Sequence, residues 1–157
     1  MAAQVKPIPD GYHTATPYLR VRGAAKAIDF YKAAFGAEET VRMSSPDGKT
    51  IMHAEIRIGD SVIMLGEESM QWNCPSPQSL GGTGGGVHVY VRDVDATVAR
   101  AVAAGAKVTM PVADMFWGDR YGKIVDPFGH EWSVATHQED PTPEQIAERA
   151  KAAFAQM

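Results

Sequence analysis

Two stretches of the chain carry the same order of apolar and polar positions. Tyr18-Leu19-Arg20-Val21-Arg22 reads as a strand, and behind it Ala24, Ala27, Ile28, Tyr31 and Phe35 recur at three- and four-residue spacing, which builds one apolar helix face. Gly36 stands where a left-handed residue closes such a helix. Val89-Tyr90-Val91-Arg92 opens the second stretch; Val94, Val98, Ala101 and Val102 repeat the helical face, and Gly105 ends it. The offset is 70 residues from Val21 to Val91 and 69 from Gly36 to Gly105. The later parts also correspond. Ile51 to Ile58, a turn at Gly59-Asp60 and a strand from Ser61 to Leu65 match Arg120 to Asp126, a turn at Pro127-Phe128-Gly129 and a strand from Glu131 to Ala135. The pattern predicts an α+β fold of two tandem βαβββ modules forming a curved mixed sheet, with helices outside and a cavity inside. The first module is placed at residues 14–68 and the second at 85–137, with a linker over 69–84 and a C-terminal helix over 141–157.

The linker contains Gly81-Gly82-Thr83-Gly84-Gly85-Gly86. A phosphate-cradling loop needs G-x-G-x-x-G after a strand; these glycines lack that spacing and precede a strand, so they read as a flexible connection. In the tail, Thr142-Pro143-Glu144-Gln145 forms a capping box with proline at the first helical position. Ile146, Ala150, Ala153, Phe154 and Met157 then make an apolar stripe that requires a docking surface, on its own sheet or on a partner subunit.

Composition narrows the class without naming a function. The chain has 157 residues, 45% hydrophobic and 22% charged, which suits one globular core. Its net charge is −4 with no basic run, against a nucleic-acid partner. One cysteine, Cys74, excludes an internal disulfide framework and a Cys-rich zinc site, and fits a reducing, cytoplasmic compartment. The opening MAAQVKPIPDGYH has no apolar run of a signal peptide, and no segment approaches the ~20 apolar residues of a membrane span.

The two-fold plan, with Asp126-Pro127-Phe128-Gly129-His130 opening the last hairpin, resembles the vicinal oxygen chelate superfamily of glyoxalase I, extradiol dioxygenases, fosfomycin-resistance enzymes and bleomycin-resistance binding proteins. Ala27-Ile28-Asp29-Phe30-Tyr31, Arg42-Met43 with Pro46-Asp47-Gly48-Lys49, His53-Ala54-Glu55, Ile58-Gly59-Asp60-Ser61, Phe116-Trp117-Gly118-Asp119-Arg120 and Ala135-Thr136-His137 resemble its PhnB-like subgroup. The resemblance implies a concave ligand cavity completed by two modules. It also implies metal ligands on the first and last strand of each module, typically His and Glu. Matched strand by strand, those positions are Thr16, Met64, Gly86 and Ser133, none a good ligand for a divalent metal. A shift of one residue brings in Ala15, Pro17, Ile63, Leu65, Gly85 and Trp132, which are no better.

Strand alternation extends the cavity face from these positions. Tyr18 follows Thr16, His88 and Tyr90 follow Gly86, and Ala135 and His137 follow Ser133. His53, Glu55 and Arg57 share one face of their strand, while Met52, Ala54, Ile56 and Ile58 share the apolar face that should meet the helices. Repeat matching puts Arg120 on the His53–Glu55 face, with Trp117 just before it. Each candidate also has a plain structural role. His53 and Glu55 suit an acid/base couple, a metal pair with His88 as third ligand, or a hydrogen-bonded polar pair. Tyr18, Tyr90 and Trp117 suit a ligand wall or core packing. Arg120 suits an anionic ligand group or a salt bridge to Asp119, Asp114 or Glu55, and His137 a solvated sheet end. Cys74 has no nearby base to activate it.

These readings favour a metal-independent small-molecule-binding protein of the bleomycin-resistance type, with no cofactor. It would be a cytoplasmic homodimer without nucleic-acid or membrane partners. Its apolar or aromatic ligand would lie among Tyr18, His88, Tyr90 and Trp117, with His53, Glu55, Arg120 and Ser133 alongside. The alternative is an enzyme of lyase, isomerase or dioxygenase type, using a relocated metal or an acid/base site around His53, Glu55 and His88. A third reading gives the tail helix a role in assembly.

Overall fold

The computed structural model describes residues 5–155; residues 1–4 and 156–157, which include Met157 of the tail stripe, lie outside it. The chain divides into two compact units, one ending at Gly82 and the other beginning at Thr83. Each carries its own four-stranded mixed sheet, in place of one continuous sheet.

In the first unit, β1 (Tyr18–Val21), α1 (Ala24–Phe35), β2 (Glu38–Ser44), β3 (Ile51–Ile58) and β4 (Ser61–Glu67) order as β1-β4-β3-β2. β1 lies parallel to β4, and the other pairs are antiparallel. α1 carries the chain from β1 at one edge of the sheet to β2 at the other, and so covers one sheet face. Ala24, Ala27, Ile28, Tyr31 and Ala34 of α1 are buried with Val21, Ala54, Ile56 and Leu65 of the sheet. Each large side chain so buried contributes about 1.5–3 kcal/mol. Gly36, at φ 67°, closes the helix as its position predicts. At the other end Gly23 has no side chain to cap with, and the Glu67 carboxylate at the end of β4 accepts from Gly23 N at 2.7 Å and Ala24 N at 2.8 Å.

The predicted flexible linker is ordered over much of its length. Ser69 and Cys74 pair as an isolated bridge, and α2 (Pro77–Leu80) follows. Glu68 is the anchor: it accepts from Ser76 Oγ at 2.7 Å and Arg22 Nε at 2.7 Å. The Ser79 hydroxyl, which also donates to it, together with Arg22 and Ser76 holds the carboxyl at about 2. Polar anchoring of this kind has no apolar periodicity to announce it.

The second unit repeats the plan with β5 (Gly86–Tyr90), α3 (Val94–Ala103), β6 (Lys107–Asp114), β7 (Asp119–Val125) and β8 (Glu131–His137), ordered β5-β8-β7-β6. Val94, Val98 and Ala101 are buried as predicted, but Val102 is exposed, and Thr97 takes an inward place with its hydroxyl on Asp93 O at 2.8 Å. Thr136 repeats the role of Glu67: its hydroxyl accepts from Val94 N and donates to Val91 O, both at 2.9 Å. Gly86 belongs to β5, where a Cβ would stand 2.8 Å from Glu131 O, too close for any side chain without movement of β8. α4 (Pro143–Phe154) has the predicted capping box, yet none of its residues is buried; Phe154 meets Phe116 at 5.9 Å between ring centroids. Among the described residues, no helix is long and apolar enough to cross a membrane.

The turn Asp126-Pro127-Phe128-Gly129-His130 organises the β7–β8 hairpin. Asp126 is buried; its Oδ1 accepts from Phe128 N and His130 N, and its Oδ2 from the indole of fully buried Trp132, each at 2.9 Å. Removing this carboxylate strands three donors, two of them buried. Asp126→Ala is therefore expected to lower the unfolding free energy by about 3 kcal/mol, with Asp126→Asn intermediate, in urea denaturation followed by Trp fluorescence. Equal midpoints for wild type and Asp126→Ala would refute this role.

Candidate functional site

The face of each sheet opposite its helix is where the chemistry collects. In the first unit, Tyr18 pairs with Met64, and Met64 with Glu55, across neighbouring strands. His53 lies one pleat along from Glu55, on the same side. The side chains form a hydrogen-bonded chain. Tyr18 Oη is 2.8 Å from His53 Nδ1, His53 Nε2 is 3.2 Å from Glu55 Oε1, and the Tyr12 phenol donates to Glu55 Oε2. A carboxylate only accepts, so for a neutral imidazole the proton sits on Nε2 and Nδ1 receives the Tyr18 hydroxyl. The Glu55 hydrogen bond holds the Tyr12 phenol above the usual tyrosine range. Arg20 stacks over Tyr18 at 4.3 Å from the ring centroid. Beside this chain is a cleft of about 400 Å³, lined by Pro7, Ile8, Pro9, Tyr12, His13, Thr14, Thr16, Glu55 and Met64.

In the second unit the corresponding face carries rings around a buried carboxylate. Asp119 Oδ2 accepts from Tyr90 Oη at 3.1 Å and Trp117 Nε1 at 3.0 Å, and Oδ1 faces His137 Nδ1 at 2.7 Å. Tyr90 meets His88 at 4.6 Å, His88 stacks on Tyr121 at 6.0 Å, and Tyr121 meets Trp117 at 5.5 Å between centroids. The circuit of four rings thus closes on Asp119 from both ends. His88 Nδ1 is 2.9 Å from Ser133 Oγ, and His137 Nε2 is 2.8 Å from Asp140. Burial works to raise the Asp119 pKa, but the hydrogen bonds from His137, Tyr90 and Trp117 outweigh it and leave the carboxyl below its usual range. Asp119, and then Asp140, raise the His137 pKa; Asp119 also raises that of Tyr90.

The structure brings Tyr18, His53 and Glu55 together in one unit, and His88, Tyr90, Trp117 and Ser133 together in the other. Arg120 is a correction. It alternates with Asp119 and Tyr121 and so points the other way, where Nε and Nη2 bind Asp95 of α3 at 2.6 and 2.9 Å and Nη1 binds Asp114 at 3.0 Å. In the paired strands Lys123 takes the place of Glu55, so Arg120 corresponds to Met52 and falls on the face opposite the one that repeat matching assumed. Met52, expected against the helix, is exposed on β3. Three participants escaped the sequence reading: Tyr12, which precedes the first strand, Asp119, considered only as a salt-bridge partner, and Tyr121. Matching Glu55 to Lys123 across the repeat makes Tyr121 the counterpart of His53, and alternation along β7 would then have found it.

The family's expected metal positions do not suit a metal. Thr16 and Met64 offer a neutral hydroxyl and a thioether to the cleft, Gly86 offers nothing, and the Ser133 hydroxyl is engaged by His88. His53 and Glu55 share one hydrogen bond, and His88 has its own partners. Among the described residues, no group of three or more His, Cys, Asp or Glu is placed to hold a metal ion.

Residues 12–134 match the family model of the Glyoxalase/Bleomycin resistance protein/Dioxygenase superfamily. An uncharacterized protein of Mycobacterium bovis is 46% identical over 137 residues, covering 85% of this chain and 86% of its own. The crystal structure of an Arabidopsis thaliana gene product is similar at 28% identity and TM-score 0.63, over 79% of this chain and 98% of that one. A PhnB protein from Bacillus cereus, at 17% identity and TM-score 0.62 over 79% and 99% of the two chains, shares the fold.

The Asp119–His137 pair sets a pH dependence. His137 binds its proton more tightly folded than unfolded, so its contribution is complete below about pH 6.5 and is lost as pH rises through the raised folded pKa. Asp119, whose pKa is depressed, contributes above about pH 4 and loses this as pH falls through its folded value. The stability gap between wild type and His137→Gln should therefore narrow as pH rises above about 6.5 in urea denaturation. A gap of constant size across that range would contradict the pairing.

Proposed function

The chain belongs to the Glyoxalase/Bleomycin resistance protein/Dioxygenase superfamily, and from that membership we propose that it binds a small organic molecule without a metal ion, against the helix-free sheet faces that carry Tyr18, His53 and Glu55 and, in the second unit, His88, Tyr90, Ser133 and the neighbouring Trp117. The observation that carries this reading is the cleft of about 400 Å³ in the first unit. Its volume lies in the range of small-molecule pockets, and its lining is that of a recognition site: proline, isoleucine and methionine around one buried carboxylate. Thr16 and Met64, at two of the positions where metal ligands would stand, are part of that lining. The reading extends to a cytoplasmic homodimer, in keeping with the single cysteine.

Elemental analysis and native mass spectrometry of the purified protein test it. The expected result is no stoichiometric zinc, nickel, manganese or iron, with a small-molecule adduct whose occupancy falls in Glu55→Gln. One retained equivalent of any of those metals per chain would overturn it.

The Tyr18–His53–Glu55 relay favours a second reading, an enzyme of the lyase or isomerase type that moves a proton at Glu55 or His53. On that reading His53→Gln lowers any detected turnover by on the order of a hundredfold or more. Unchanged turnover would remove it.

A further inference from the structure

Residues 5–16 run over the first unit ahead of β1 and form one wall of its cleft, through Pro7, Ile8, Pro9, Tyr12, His13 and Thr14. Every residue from Val5 to Ala15 is exposed except Tyr12, which is half-buried. The strap therefore meets the sheet chiefly by one peg, the Tyr12 phenol on Glu55 Oε2. A segment that buries so little apolar surface opens at small cost.

The socket beneath it is less dispensable. Glu55 is 7% exposed, and one oxygen is taken by His53. When Tyr12 leaves, the other oxygen loses its donor and opens to the cleft, where water or a ligand hydroxyl can take the hydrogen bond over. The replacement must fit where a phenol ring fits, beside Met64 on the sheet.

Resting on the small-molecule reading above, we infer that Tyr12 is a built-in occupant of a site for an aromatic hydroxyl group. A hydroxyaromatic ligand donates its O–H to Glu55 Oε2, puts its ring in the place of the Tyr12 ring, and displaces the strap of residues 5–16. Tyr18 and His53 hold the Glu55 carboxylate in position for either occupant. The chain's own phenol thereby sets the affinity threshold that a ligand must exceed.

Titration with 2-naphthol, followed by its fluorescence and by calorimetry, tests the inference, with 2-methoxynaphthalene as the analogue that has no donor. In Tyr12→Phe the ring remains but its hydrogen bond is gone, and 2-naphthol should bind about tenfold more tightly than to wild type. Tyr12→Ala, which empties the socket, should gain at least as much. Adding Glu55→Gln to either variant should abolish the gain, and 2-methoxynaphthalene should show none. Circular dichroism checks that each variant folds, and the two Tyr12 variants serve as mutual controls. Equal 2-naphthol affinity in wild type, Tyr12→Phe and Tyr12→Ala, absence of binding to all three, or an equal gain for 2-methoxynaphthalene would overturn the inference. An adduct that co-purifies and is lost in Glu55→Gln, alongside indifference to 2-naphthol, would reject the hydroxyaromatic site and leave the broader binding reading standing.

Discussion

A sheet covered by a helix on one side only must settle its other side by itself. In both units the apolar residues of the sheet go to the helix, and the polar and aromatic ones are left to satisfy each other laterally. The buried carboxylates Glu55 and Asp119 are the sharpest instance. A buried carboxylate without donors costs several kcal/mol, so each gathers its neighbours: Tyr12 and His53 for one, Tyr90, Trp117 and His137 for the other. Side chains held in this way lose their rotamer freedom before any ligand arrives.

The scaffold is repeated more faithfully than the chemistry. Glu67 and Thr136, at matching places on the last strand of each unit, both close the N-terminus of the helix that follows the first strand. On the opposite face the matches diverge. Tyr18 pairs with Met64 where His88 pairs with Ser133, and Glu55 stands beside Met64 where Lys123 stands beside Ser133. Helix capping and core packing constrain one side of each sheet, and the other side is free to differ. The two units are therefore one architecture with two different polar faces.

This division explains what the sequence could disclose. The modules, their helices and the closing hairpins follow from apolar periodicity and turn residues, which report the helix-facing side. The family resemblance rests on Asp126-Pro127-Phe128-Gly129-His130, whose aspartate ties two backbone donors and Trp132 together. The polar face was read by alternation alone, and alternation succeeded for Tyr18, His53, Glu55, His88 and Tyr90. It failed for Arg120, because the repeat was aligned one residue out along β7, where Lys123 and not Ile124 takes the place of Glu55; Arg120 binds Asp95 and Asp114 on the helix side. Tyr12 could not be found this way at all. It lies outside any periodic segment and meets Glu55 across 43 residues of intervening chain, by a contact that only the folded backbone creates. Residues 69–80 were unreadable for a related reason: Glu68 orders them through hydroxyl and guanidinium donors that leave no mark on hydropathy.

Gly86 gives the absence of a metal ligand on β5 a mechanical side. The parallel neighbour β8 passes so close that even one carbon at this position would stand 2.8 Å from the Glu131 carbonyl oxygen. Histidine there would have to push two hydrogen-bonded strands apart, and Trp132, whose indole is locked to Asp126, sits in the strand that must yield. Acquiring a metal at this place is thus a concerted change of backbone and core, beyond the reach of a single codon. Side chains along the polar faces can change by point substitution, while position 86 is held at glycine by strand spacing.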